Sequence, residues 1–210
     1  DYVRVGFEKR VFPIMTSRNC PHKCTFCYNS SLPGKFRWYP DSIEEVKDHL
    51  DRIIRDYEPT YISFIDDDFF VDRDRAREIL RYYEKVKPTT LKTGFRGVRI
   101  SDLRCLGDDD FDLLERINTV HINIGIESGS DRILKHMRKG MRAKDAIDIN
   151  NRFVRYPNFV PLYNFFSGIP CETQDDIRLS TKLILKLTKD NKNSQISGFH
   201  QYTPYPGNKL

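Results

Sequence analysis

Three of the five cysteines in this 210-residue chain fall within eight residues, in Cys20-Pro21-His22-Lys23-Cys24-Thr25-Phe26-Cys27. The spacing is C-x3-C-x2-C. Three thiolates on one short loop can converge on a single centre, and thiolate is a soft ligand that suits iron or zinc. Structural zinc sites and fully protein-ligated iron–sulfur clusters want four ligands. Only three are supplied locally, so a cluster held here would keep one iron open for a small molecule. The competing reading is a structural zinc site completed by His22 or by a distant residue. His22 stands between two of the cysteines, where sharing their centre is difficult, and is read as a loop residue beside it. Cys105 and Cys171 lack such neighbours and are expected to be small buried hydrophobes.

Carboxylates and cations supply the other candidates. Asp66, Asp67 and Asp68 are adjacent; three neighbouring carboxylates repel one another, so a cationic ligand would relieve them. The alternative is a polar exit from a strand. Glu127 is either a ligand contact or half of an internal salt bridge. Arg138 and Lys139 are either anion-binding groups or a solvated helix end. Lys92, Arg96 and Arg99 surround a strand. Exposed basic residues are the ordinary explanation for them, and one facing inward to bind an anionic group is the alternative.

The elements that must position these residues alternate between strand and helix. Arg10–Ser17, Tyr61–Ile65, Leu91–Arg96, Thr119–Glu127, Val160–Ser167 and Gln195–Tyr202 read as strands. Between them, apolar residues recur at helical spacing. Asp41–Tyr57 carries Ile43, Val46, Leu50 and Ile53, with Asp41 or Ser42 as cap. Asp72 caps a helix that Pro88 ends. Phe111–Ile117, Asp131–Met137, Ala143–Tyr156 and Thr173–Leu187 complete the set. Strand starts about 30–40 residues apart suit successive right-handed βαβ units and a parallel sheet. The pattern alone allows an open doubly wound sheet or a curved partial barrel. Thr119–Glu127 favours the second: its alternate face carries His121, Asn123, Gly125 and Glu127, whereas a sheet covered on both sides is apolar on both. Barrels hold their chemistry at the C-terminal ends of their strands.

Hydrophobic residues make up 39% of the chain and the net charge is +5. That charge is mild for the length, so a nucleic-acid partner is not expected. No apolar run approaches the roughly 18 residues of a membrane span. Clustered thiols without a signal peptide suggest a reducing, cytoplasmic setting and a metal site rather than a disulfide framework. The chain begins at Asp1 and stops just after Pro204-Tyr205-Pro206-Gly207, so both an upstream and a downstream part are expected to be missing.

The C-x3-C-x2-C loop, with Phe26 before its third cysteine, resembles the signature of the radical S-adenosylmethionine (radical SAM) superfamily. Cys27-Tyr28-Asn29 and Trp38 are similar to the branch whose members often carry an N-terminal cobalamin-binding domain. Phe64-Ile65-Asp66-Asp67-Asp68-Phe69 stands where that branch has an acidic motif in place of the usual Gly-Gly-Glu. Gly125-Ile126-Glu127-Ser128-Gly129-Ser130, Met137-Arg138-Lys139-Gly140, Gly168-Ile169-Pro170-Cys171-Glu172-Thr173 and the Pro-Tyr-Pro-Gly end follow in the family's order. Cys171 stands where a Gly is common.

The resemblance implies an α/β fold, a partial TIM-like (β/α)6 barrel of parallel strands, with residues 1–210 as its core domain. It implies a 4Fe–4S cluster on Cys20, Cys24 and Cys27, whose open iron chelates S-adenosylmethionine. Reductive cleavage then gives methionine and a 5′-deoxyadenosyl radical. In the same frame the Phe26 backbone lies near the adenine and its ring shields the cluster. Asp66, Asp67 and Asp68 meet the methionine amino group. Glu127 and Ser128 contact the ribose or that amino group, and Arg138 or Lys139 pairs the methionine carboxylate. Gly168 allows close backbone approach, while Glu172 starts the next helix. Cobalamin is implied only through a domain outside these residues, for methylation or ring formation on a small-molecule or peptide substrate. A reductase, flavodoxin or ferredoxin is implied as electron donor. The alternatives are an RNA-modifying member such as a methylthiotransferase and, last, a structural zinc module.

Overall fold

The computed structural model describes residues 9–30, 37–208 and 210. Six strands form one sheet: β1 (Val11–Ile14), β4 (Tyr61–Phe64), β5 (Lys92–Arg99), β6 (Thr119–Glu127), β7 (Val160–Ser167) and β8 (Gln195–Gln201). They lie side by side in chain order and every pairing is parallel. A doubly wound sheet must reverse its strand order somewhere to put helices on both faces. Here the order never reverses, so right-handed crossovers carry every helix to the same side. The sheet is therefore singly wound. Among the described residues β1 and β8 do not pair, which leaves the barrel partial.

The helices are α1 (Ile43–Tyr57), α2 (Arg73–Val86), α3 (Ile100–Leu103), α4 (Asp108–Arg116), α5 (Asp131–His136), α6 (Ala143–Phe153) and α7 (Gln174–Asp190). Local chemistry sets where they start. Ser42 caps α1 in a capping box with Glu45, Asp72 caps α2, and Thr173 caps α7 in a box with Asp176. Such caps satisfy orphan N–H groups and contribute about 1 kcal/mol each. The helices pack on one another around the outside, α1 on α2, α2 on α4, and α6 on α7.

The core lies between sheet and helices. Phe64 and Phe95 stack with centroids 5.1 Å apart, and Phe64 meets Tyr83 of α2 edge-on at 5.8 Å. Ile122, Ile124 and Ile126 of β6 are fully buried, while His121, Asn123 and Gly125 between them are only half-buried. The polar face expected for this strand is the inner, concave face of the sheet.

Two of the expected strands change most. The strand expected over residues 10–17 divides. β1 ends at Ile14, and β2 (Ser17–Arg18) leaves the sheet to pair antiparallel with β3 (Tyr39–Pro40). The cause is the Asp66 carboxylate, which accepts from the Thr16 backbone N–H and from the Thr16 and Ser17 hydroxyls. This excursion makes the first interval between barrel strands longer than the others. The third barrel strand, β5, runs on to Arg99 and leads into α3, an element the periodicity did not show. It carries an irregularity between Phe95 and Val98, where Arg96 and Gly97 face Asn123 alone.

Candidate active site

The cysteine loop leaves β1 at its C-terminal end and is tied down over the barrel mouth. Thr25 N–H donates to the Met137 carbonyl at 3.0 Å, and the Thr25 hydroxyl donates to that of His136 at 3.3 Å. Tyr28 OH and Asn29 Nδ2 donate to the two oxygens of Asp67, at 2.8 and 3.3 Å. Asn208 Nδ2 donates to the Phe26 carbonyl at 2.7 Å, so the end of the chain also holds the loop. Cys20, Cys24 and Cys27 thereby line a single cavity of about 230 Å³, together with Phe26, Asp67, Gly125, Glu127 and Lys139.

None of the cysteines is in a disulfide. Cys24 is buried and the other two of the cluster are half-buried. Burial pushes the Cys20 thiol up to about 12, and burial likewise raises Cys27. Without a cation these thiols hold their protons, and a soft metal would displace them. Arg99, nearly buried on β5, donates from Nη1 to Cys24 Sγ at 3.0 Å and also bonds the Lys139 carbonyl. A fixed cation beside these thiols suits a centre that gathers thiolate charge. Three convergent soft donors fit a three-thiolate 4Fe–4S cluster. Cys105 and Cys171 are exposed and lie away from the cavity, not buried as expected, so neither is a fourth ligand.

A zinc-type alternative has one geometric point in its favour. Donor atoms of Cys20, His22 and Asp68 lie within 4.8 Å of one another. However, His22 Nε2 stands 3.2 Å from Asp68 and 3.7 Å from Asp102. Hydrogen bonding to Asp102 and Asp68 raises it to about 9. A protonated imidazole donates to those carboxylates, so a metal would have to displace its proton before His22 could ligate. His22 is a loop residue held by two carboxylates, as its place in the sequence suggested.

The expected site residues separate into those inside the cavity and those outside it. Phe26 lines it, its ring edge-on to Phe166 at 5.4 Å and 5.5 Å from Lys139 Nζ. Glu127 Oε1 and Lys139 Nζ meet at 2.7 Å with both side chains buried. Here the salt-bridge reading of Glu127 holds, and the pair also lines the cavity. Gly125 lies beneath it: a Cβ there would stand 2.2 Å from Glu127 Oε1 and 2.8 Å from Lys139 Nζ, so the pair would have to shift to admit one.

The three aspartates do not act together. Asp66 is consumed by Thr16 and Ser17, Asp67 faces the cavity, and Asp68 turns to His22 and Arg99. Divergent side chains relieve the repulsion that a shared ligand was expected to relieve. Ser128 is also outside: it is fully buried against Ser180 of α7 and accepts from the Ser130 N–H. Arg138 is exposed; its carbonyl, not its guanidinium, meets the site, 3.8 Å from Cys24 Sγ. Gly168 adopts φ +80 but does not line the cavity. Its N–H donates to Glu172, which precedes the Thr173 cap of α7 and does not start the helix. Arg99 does face inward, the less ordinary of its two readings. Sequence reasoning missed Asp102 and Gly97, whose added Cβ would strike the Asp66 carbonyl oxygen at 1.9 Å. Both depend on the irregular β5–α3 passage, which has no periodic signal.

A singly wound parallel half-barrel with three thiols over its C-terminal mouth defines a radical SAM domain. The family model described as the Radical SAM superfamily matches residues 14–184, and the chain belongs to that superfamily. Its members use a 4Fe–4S cluster and S-adenosylmethionine. The chain is 30% identical over 211 residues to a protein described as an uncharacterized methyltransferase of Pyrococcus horikoshii, covering 94% of this chain and 40% of that protein. It is 26% identical to a tRNA-2-methylthio-N(6)-dimethylallyladenosine synthase of Corynebacterium urealyticum, covering 92% of this chain and 36% of that one. The chain thus spans less than half the length of these relatives. A solved radical S-adenosylmethionine methyltransferase from Kitasatospora setae, with cobalamin and a 4Fe–4S cluster bound, shares the fold. Its TM-score is 0.72 at 17% identity, over 84% of this chain and 34% of that one.

Proposed function

We propose that this chain is the catalytic core of a radical SAM enzyme that transfers a methyl group to a small-molecule or peptide substrate. The observation that carries it is the convergence of three thiols on one cavity at the C-terminal end of a parallel half-barrel. Cys20, Cys24 and Cys27 hold the 4Fe–4S cluster. When bound, the cluster and S-adenosylmethionine supply reductive cleavage of a sulfonium C–S bond and a 5′-deoxyadenosyl radical. The chain's own residues position and protect. Phe26, backed by Phe166, covers the cluster and keeps water away. Asp67 receives the methionine amino group. The buried Glu127–Lys139 pair offers a carboxylate to the ribose or amino group and an ammonium to the methionine carboxylate.

Methyl transfer is supported by the Pyrococcus relative, and the use of cobalamin by the cobalamin bound to the Kitasatospora enzyme. An electron donor of the flavodoxin or ferredoxin kind, or a reductase, and a cytoplasmic setting complete the proposal. Among the described residues no helix is long and apolar enough to cross a membrane. A second reading, methylthiolation of tRNA, is favoured by the Corynebacterium relative. The test is an anaerobic assay of the full-length protein with dithionite and S-adenosylmethionine. Formation of 5′-deoxyadenosine and methionine supports the radical chemistry, and its absence from fully cluster-loaded protein argues against it. Analysis of bulk tRNA for methylthio groups then separates the two readings.

A further inference from the structure

Below the cysteine cavity lies a second one, of about 600 Å³, inside the curve of the sheet. The two are lined in common by Arg96. This arginine is solvent-exposed and makes no ion pair and no hydrogen bond among the described residues, whereas the charges that line the cysteine cavity beside it have partners. Asp67 is held by Tyr28 and Asn29, Glu127 by Lys139, and Asp68 lies beside His22. Among the described residues no carboxylate lines the lower cavity. Its polar lining is Ser63, Tyr61, His121, Asn123 and Gln195 around Arg96, and Asn123 Oδ1 is buried without a hydrogen-bond partner.

The backbone sets Arg96 where it is. β5 has two residues, Arg96 and Gly97, opposite Asn123 of β6. An extra residue of this kind bends a strand and re-aims a side chain, and such irregularities recur beside active sites. Arg96 precedes Arg99, the partner of Cys24, by three residues, or at most about 10 Å along a strand. A guanidinium in that position sits beneath the cofactor cavity. Its fork matches carboxylate and phosphate oxygens in pairs.

We infer that the lower cavity is the substrate site and that it takes an organic anion, whose carboxylate, phosphate or phosphonate is held by Arg96 with its carbon skeleton directed up toward the cysteines. The inference rests on the radical SAM reading above, which gives the upper cavity to S-adenosylmethionine. Asn123 and Gln195 supply further polar contacts, while Val11, Ile65 and Leu162 bound the apolar part.

The test is calorimetric titration of the full-length, cluster-loaded protein, in the presence of S-adenosylmethionine, with butylphosphonate, butyrate and the neutral butyramide. At least one anion is expected to bind more tightly than the amide, and which of them binds distinguishes phosphonate from carboxylate chemistry. Arg96→Gln is expected to weaken that anion about tenfold or more, the ordinary cost of a lost charge-assisted bond. Its affinity for S-adenosylmethionine should stay within about twofold. Arg96→Lys, which keeps the charge and loses the fork, should fall between. Equal binding of anion and amide, or an anion affinity unchanged in Arg96→Gln, overturns the inference. So does a parallel loss of S-adenosylmethionine affinity, which would put Arg96 in the cofactor site. A wild type that loads a cluster but neither binds nor cleaves S-adenosylmethionine overturns the radical reading instead.

Discussion

Removing Lys139 should expose how much the buried pair beside the cavity matters. Glu127 and Lys139 meet at 2.7 Å with about a fifteenth of each side chain exposed, and Glu127 Oε2 has no hydrogen-bond partner. Lys139→Met keeps the volume and leaves a largely buried carboxylate without its cation. Losing one partner of a buried pair typically costs about 3–5 kcal/mol. The carboxyl can escape by taking a proton. From an ordinary Glu carboxyl that costs about 3.7 kcal/mol at pH 7 and about 1 kcal/mol at pH 5. The penalty in Lys139→Met is therefore capped near 4 kcal/mol at pH 7 and should shrink by about 2–3 kcal/mol at pH 5. In the variant the carboxyl is favoured protonated on folding, so relative stability is gained as pH falls and lost as it rises. Adding Glu127→Gln should recover most of the loss at pH 7, because no charge is then left buried. Urea titrations followed by circular dichroism at the two pH values measure all of this. A loss below about 1 kcal/mol at pH 7, or one that does not change with pH, would refute the burial argument.

Two further predictions concern parts of the fold away from the chemistry. Cys171 adopts φ 69 at an exposed position, a left-handed conformation that favours glycine, so Cys171→Gly should raise stability by about 1 kcal/mol, seen as a higher melting temperature. Arg132, together with the Ser130 and Thr173 hydroxyls, holds the Asp176 carboxyl well below the usual range while tying α5 to α7. A depressed carboxyl contributes stability that is complete above about pH 4 and lost as the pH falls further. Between pH 4 and pH 2 the wild type should therefore lose more stability than Asp176→Asn, as followed by acid titration of the circular dichroism signal.

The parts of the fold legible in the sequence were those fixed by local chemistry. β6 has the expected limits because alternating isoleucines and polar residues leave no other register. The starts of α1, α2 and α7 follow from Ser42, Asp72 and Thr173, whose side chains act within three residues of themselves. What stayed hidden was decided by distant partners. Asp66, Asp67 and Asp68 are identical in type and adjacent, yet three different surroundings, the β1–β2 turn, the cysteine loop and His22, give them three roles. Ser128 looked like a ligand contact until Ser180, far along the chain, closed over it. Arg99 reads as one more basic residue on a strand, and only the return of residues 137–139 over the mouth buries it beside Cys24. The cysteine spacing was legible because the ligands of one centre here come from a single loop.

The central claim is that Cys20, Cys24 and Cys27 hold a 4Fe–4S cluster with a site open to S-adenosylmethionine. Electron paramagnetic resonance of the dithionite-reduced, full-length protein tests it most directly. A reduced 4Fe–4S signal that changes when S-adenosylmethionine is added, and that is absent from the Cys20→Ala/Cys24→Ala/Cys27→Ala variant despite a folded circular dichroism spectrum, is the predicted result. A signal indifferent to S-adenosylmethionine, a signal that survives the triple variant, or a protein that binds zinc and no iron would contradict it.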